Sequence, residues 1–150
     1  MAEIFPDIGL DYALGVVFDA LAQDTTFFVG LFTSQSPTTV PARTIVAGAS
    51  PSGWTEMGVT SGTYARQAIT AGGWGSPSTV GNGRKITSEQ ETFTGFVGDA
   101  AANGFFIATL VASGAGDVVI FFANFDSGVA RTFATVSDQL LLTPSAQFDG

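Results

Sequence analysis

The side chains that could do chemistry here are few, and their types limit what is possible. Neither histidine nor cysteine occurs among the 150 residues. That removes the commonest general base near neutral pH, any thiolate nucleophile, and the usual nitrogen and sulfur ligands of transition metals. Carboxylates remain. Glu89 and Glu91 stand two apart, so on one strand they share a face. Acid–base work would also need a set separation inside a cleft, and the plainer reading makes them solvated carboxylates leading into a strand at 91–96. Lys85, the single lysine, offers with Ser88 the one conceivable Ser–Lys pair. Gly81-Asn82-Gly83-Arg84-Lys85 has the flavour of a phosphate loop, but no Gly-Lys-Ser/Thr ends it and no helix follows, so it reads as a turn. A metal would have to be bound through oxygen, as calcium or magnesium are. Asp117 and Asp126 flank a strand and Asp24 or Asp99 could join them, yet no segment has the regular aspartate spacing of a calcium loop. The expectation is no catalytic residue, no metal and no cofactor.

Arg66 raises a different question. It lies in GTYARQAI (62–69), between glycine-rich segments that each hold a tryptophan, and is one of only five cations. On a regular strand Tyr64 and Arg66 share a face. A guanidinium there can fix a neighbouring loop or a subunit carboxylate by bidentate hydrogen bonds while its stem covers apolar surface. With thirteen acidic residues in the chain, such a partner is easy to find. Arg66 therefore reads as architectural, inside the fold or at an interface.

Composition narrows the partners. The formal net charge is −8, and Arg84-Lys85 is the only adjacent cationic pair. Nucleic acid and anionic membrane surfaces both reward clustered positive charge, so neither is expected. The longest apolar run, 118–123, is far short of the roughly 20 residues that cross a bilayer. MAEIFPDIG has neither the basic region nor the apolar core of a signal peptide. Only 12% of the chain is charged while 45% is hydrophobic, which leaves Thr, Ser, Gly and Ala to build much of the surface.

The elements that must position these residues are mostly strands. Residues 7–22 form the one expected helix, with Ile8, Leu14, Val17, Phe18 and Leu21 near a 3.6-residue period. Pro6 and Asp7 suit its start, and Asp7, Asp11 and Asp19 serve capping and solvation. A β-branched and aromatic run at 25–34 ends in the turn signal SQSP. Long loops follow at 35–53, with a short strand at Thr44–Val46, and at 72–84, where Gly-Asn-Gly signals a reversal. Further strands are expected at Lys85–Ile86, 91–96, 104–110, 118–123, 132–136, 139–142 and 146–148. Seven to nine strands with a turn every 8–12 residues predict a mainly β, jelly-roll-like antiparallel β-sandwich over 25–150. Residues 1–24 form a helical segment that packs on this sheet or on a neighbour.

Phe27-Phe28, Phe105-Phe106 and Phe121-Phe122 are adjacent pairs, and neighbours in a strand point to opposite faces. Each pair therefore needs two apolar environments. One is the core; the other is the helix, a long loop or a neighbouring subunit, which makes Phe106 and Phe122 structural or interface residues. Trp54 and Trp74 either anchor a contact or pin their loops to the sheet.

VGLFTS at 29–34, GTYARQAI at 62–69 and GGW at 72–74, followed by GFFIATLVASG at 104–114, resemble a set of small structural proteins of tailed-bacteriophage particles. The resemblance spans roughly residues 29–142 and is carried by Gly62, Tyr64, Arg66, Gln67 and Trp74. The phenylalanine-heavy strands and the helix-like N-terminal segment depart from it. It implies a virion component, a capsid decoration (cement) protein on the outer capsid surface or a tail, baseplate or fibre-associated protein. The implied partners are the major capsid protein or other virion proteins. A homo-oligomer is expected, with a trimer suggested by the three-fold positions of capsid lattices. From another class, a carbohydrate-binding sandwich would stack sugar rings on Trp54 and Trp74.

Overall fold

Aromatic and β-branched residues favour extended, half-buried backbone, and the longest such run makes the strand around which the fold is arranged. The computed structural model describes residues 3–4, 7–18, 24–34, 55–57, 64–96, 100–110, 117–125 and 129–148. Trp54, Gly62, Asp99, Asp126, the loop 35–53 with its short strand, and the helix positions beyond Phe18 lie outside the described residues. In chain order the elements are β1 (Glu3–Ile4), α1 (Asp7–Phe18), β2 (Thr26–Ser34), β3 (Thr55–Glu56), β4 (Gln67–Thr70), a 3-10 turn (Ala71–Gly73), β5 (Ser78–Val80) and β6 (Gly83–Thr87). Then come β7 (Glu91–Phe93), β8 (Ala100–Ala102), β9 (Gly104–Ala108), β10 (Val119–Asn124), β11 (Arg131–Phe133), β12 (Leu140–Leu142) and β13 (Ser145–Phe148).

The chain is mainly β, with one short helix and several antiparallel sheets. A six-stranded sheet runs β1-β10-β9-β2-β3, with β4 also paired to β2. β2 meets β9 along one edge; its other edge is shared by β4, opposite Thr26 to Val29, and β3, opposite Phe32 and Ser34. Three smaller sheets, β13-β6-β5, β12-β7 and β11-β8, complete the fold. Among the described residues no sheet closes on itself.

Alternation along the large sheet gives two apolar layers, as the paired phenylalanines require. Val29, Leu31, Phe105, Ile107 and Phe121 enter the main core, where they meet Phe93 and Phe133 from the smaller sheets, and Phe96 beyond β7. Phe32, Phe106, Ala108, Val119 and Phe122 form the second layer. Phe106 and Phe122 are fully buried within a single chain. Gly30, Phe106, Phe122 and Ile4 stand side by side across four strands. A Cβ at Gly30 would run into the Phe106 ring and the Tyr64 hydroxyl, so glycine here serves close approach.

Several expectations change. The strand expected at 62–69 starts only at Gln67, and residues 64–66 run outside any strand. The stretch 72–84 is not one loop: β5 and β6 form a hairpin across Gly81-Asn82, with Gly81 at φ +58°. All three β5 residues are exposed, so no apolar alternation betrays that strand. Strands β1, β3 and β8 are too short to carry a pattern, which is why more strands form than the seven to nine expected. The run 132–136 is cut at Phe133 because Asp138 pins a turn, accepting from the Ala134 and Thr135 amides at 2.7 and 3.0 Å.

The helix differs most. The segment was expected to pack on the sheet or on a neighbour; Leu14 is 55% and Phe18 82% exposed, so these two stripe residues do not face the sheet. Gly9 is buried instead, with no room for a Cβ against the Ile120 backbone of β10. That close contact turns the glycine side inward and Leu14 and Phe18 outward. Gly9→Ala sets two effects against each other. Helix propensity improves by about 1 kcal/mol, while a methyl forced against unyielding backbone costs about 1–3 kcal/mol. The expected outcome in urea denaturation is net destabilisation; a stabilised variant would mean that α1 does not sit on β10 this closely.

Candidate functional site

Arg66 is the one described cation enclosed by the fold, and the densest polar geometry among the described residues surrounds it. It comes just before β4, which lies along β2; Glu56 comes from β3, on the same edge of β2. Asp117 comes just before β10. Arg66 Nε donates to Glu56 Oε1 at 2.8 Å and Nη2 to Glu56 Oε2 at 2.8 Å, a two-pronged pair. Nη2 also donates to Asp117 Oδ2 at 3.0 Å, and Nη1 to the Leu110 carbonyl at 2.7 Å. The guanidinium carbon lies 4.9 Å from the Phe106 ring centre. The Arg66 and Asp117 side chains are 1% and 3% exposed and Glu56 is 17% exposed.

Each partner of Arg66 is held in turn. The Tyr64 hydroxyl donates to Glu56 Oε1 at 3.2 Å and accepts from the Leu31 amide at 2.8 Å. Asp117 Oδ1 accepts from the Leu110 amide at 3.2 Å, and next to it the Thr109 hydroxyl accepts from the Val118 amide at 3.0 Å. Arg66 thus ties the two ends of the connection between β9 and β10 to the β3–β4 edge of the sheet. Tyr64 stacks on Phe93 with ring centres 6.2 Å apart, which links the cluster to the main core.

Burial alone would lower the Arg66 pKa, but its hydrogen bonds to Glu56 and Asp117, together with their charges, outweigh it and leave the pKa raised. The guanidinium is a fixed charge. Burial pushes the Tyr64 phenol up and the Glu56 charge adds to that. Tyr12, which donates to Asp24 at 2.9 Å, is also raised, by burial first. Above pH 10 an unfolded chain releases both phenolic protons, while the folded chain keeps that of Tyr64 and gives up that of Tyr12 later than the unfolded chain does. Stability from these groups is therefore full below pH 10 and is lost as pH rises beyond it. Absorbance at 295 nm should show at most one tyrosinate, that of Tyr12, in the folded chain, with Tyr64 ionising only together with unfolding. Ionisation of both tyrosines near pH 10 in folded protein would contradict the burial of Tyr64.

The other sequence candidates do not gather into a site. Gln67 opens β4, half-buried, and bonds the Ala65 carbonyl at 3.0 Å. Trp74 is half-buried, packs on the main core and bridges to Ser88 beyond β6, and its buried Nε1 has no hydrogen-bond partner among the described residues. The Ser88 hydroxyl donates to the Glu89 and Pro144 carbonyls. Ser88 follows β6 three residues after Lys85, so in extended backbone the two side chains point apart. Glu89 is exposed and stands against Gly73. Glu91 opens β7 with its pKa raised by burial and then by Glu89. Asp117, considered as a calcium ligand, is taken by Arg66, and Asp24 by Tyr12.

Glu56 was missed, and nothing local marks it among thirteen acidic residues. Gly30 did carry a signal: a glycine inside an apolar strand points to the close approach of another group. Comparison with protein families, with characterised proteins and with solved structures finds no match to this chain.

Proposed function

We propose that this chain is a non-enzymatic structural protein of a tailed-bacteriophage particle, a decoration protein that oligomerises, as a trimer at three-fold positions, and binds the outer capsid surface. One observation carries the reading: the stretch at the heart of the resemblance, Tyr64 to Gln67, is committed to architecture. Four of the five guanidinium N–H donors of Arg66 are engaged inside the fold, and its side chain is 1% exposed, closed to a substrate. The finer organisation we propose is a jelly-roll-like sandwich, with the six-stranded sheet as one layer and the small sheets facing it across the phenylalanine core. Exposed Leu14, Phe18, Val129, Val136 and Leu141 supply apolar area on a surface poor in charge. Burying such area stabilises by roughly 25 cal/mol per Å², and contacts repeated over a shell add up to reinforcement of its subunits.

The test is copy number in purified particles, by quantitative mass spectrometry against the major shell protein. Copies in stoichiometric proportion to the shell are expected. A handful set by the symmetry of a tail or fibre would move the protein there, and none would remove the virion reading.

A further inference from the structure

Asparagine stands at positions 82, 103 and 124, and the first two are each followed by glycine. An asparagine side chain can lose ammonia when the main-chain nitrogen of the next residue attacks its Cγ, and glycine, with no Cβ, leaves that nitrogen least hindered. Asn82-Gly83 and Asn103-Gly104 share this chemistry but not their surroundings. Asn82 is exposed in the turn between β5 and β6, directly after Gly81 at φ +58°. Gly83 is buried and faces Val80 across the turn, and a turn of this kind is closed through the amide of its fourth residue. The hairpin behind that closure is slight. β5 ends the order β13-β6-β5, and all three of its residues are exposed. The side-chain bonds across the hairpin, from Arg84 to Thr79 and Pro77 and from Ser78 to the Lys85 carbonyl, are exposed as well. Asn103 is held on both sides: its amide donates to the Phe32 carbonyl at 2.8 Å and its carbonyl accepts from the Phe125 amide at 2.9 Å. Gly104 is buried at the start of β9, with Phe32 opposite it on one side and Asn124 on the other.

We propose that Asn82 is a site of spontaneous deamidation and main-chain isomerisation in the folded protein, and that Asn103 is not. When the hairpin opens, the Gly83 nitrogen gives its proton to solvent base and bonds to Asn82 Cγ, and the side-chain nitrogen leaves as ammonia. The five-membered imide then takes up one water. Its opening at one carbonyl gives aspartate and at the other isoaspartate, with no oxidation or reduction at any step. Isoaspartate adds a methylene to the main chain, so the two-residue turn that sets Val80 against Gly83 no longer fits. Either product also puts a carboxylate into a hairpin whose only charges are Arg84 and Lys85. At Asn103 the same attack needs β9 to open between two paired neighbours, which is close to global unfolding. The reaction does not depend on a virion, so this inference and the function proposed above fail separately.

The test is to hold the whole chain in warm, mildly alkaline buffer and to map its peptides by mass spectrometry over time, with the chain in denaturing urea as reference. In urea both Asn-Gly pairs should convert at similar rates. In the folded chain the peptide with Asn82 should gain one mass unit and split into two isomers, isoaspartate the larger. Asn103 should lag behind it by about tenfold or more, because an edge hairpin opens locally and a central strand does not. Three outcomes overturn the inference. One is no mass gain at Asn82 in the folded chain by the time the urea reference has converted. Another is Asn103 keeping pace with Asn82 in the folded chain. The third is aspartate alone at position 82, which would mean direct hydrolysis of the side chain without the imide.

Discussion

Arg66→Ala should lower the free energy of unfolding by about 3–5 kcal/mol, because it strands two carboxylates that were desolvated around one cation. Glu56 and Asp117 are both largely enclosed, and neither has a described cation other than Arg66 as partner. The penalty is that of leaving them unpaired; the attraction in the intact cluster is smaller, since three charged groups were taken out of water to make it. The distinction can be measured. In Arg66→Met combined with Glu56→Gln and Asp117→Asn, no buried charge is left. The amides still accept from Tyr64 and Leu110, so most of the loss should return. Urea denaturation of the single and triple variants decides it, with the slope m checked for constancy. A loss under about 1 kcal/mol in Arg66→Ala, the range of exposed ion pairs, would mean that the cluster is solvated and the architectural reading of Arg66 wrong. Domains are commonly stable by only about 5–15 kcal/mol, so the expected loss would leave the chain partly unfolded on warming.

Phe106→Ala is expected to cost about 3–5 kcal/mol, the range for deleting a large buried aromatic side chain. Phe106 has no exposed surface, lies between Gly30 and Phe122 in the cross-strand row, and supports the Arg66 guanidinium. Little around it can collapse into the space, because its opposite neighbour on β2 is a glycine. Gly30→Ala tests the same contact from the other side. Its methyl would enter the Phe106 ring and crowd the Tyr64 hydroxyl, costing about 1–3 kcal/mol by overpacking. In the Phe106→Ala background the ring clash is gone and only Tyr64 remains. The two substitutions should therefore couple by about 0.5–3 kcal/mol, with the double variant less damaged than the sum. Strict additivity in a double-mutant cycle would show that Gly30 and Phe106 do not share a contact.

Strand β2 could be read from TFFVGLFTS, and β9 and β10 from their phenylalanine pairs, since extended propensity and two-residue alternation are local properties. The reversal at Gly81-Asn82 was legible for the same reason. β5 was hidden because a fully exposed strand has no apolar alternation. The helix shows what a local pattern leaves open. Its apolar spacing left open whether the stripe meets the sheet or a neighbour; within the chain the close approach is through Gly9, which leaves Leu14 and Phe18 outward.

The sequence by itself determined the chemistry that was possible: no imidazole, no thiol, few cations, a surplus of carboxylates, and aromatic residues enough for two apolar layers. It also determined that Arg66 would need a carboxylate partner, because a guanidinium stays charged at any working pH. Only the tertiary structure decided which ones. Glu56 lies ten residues before Arg66 and Asp117 fifty-one after it. They meet because β3 and β4 share an edge of β2 while β9 and β10 continue the same sheet on its other side. An ion pair depends on distance and on exclusion of water, and sheet order sets both.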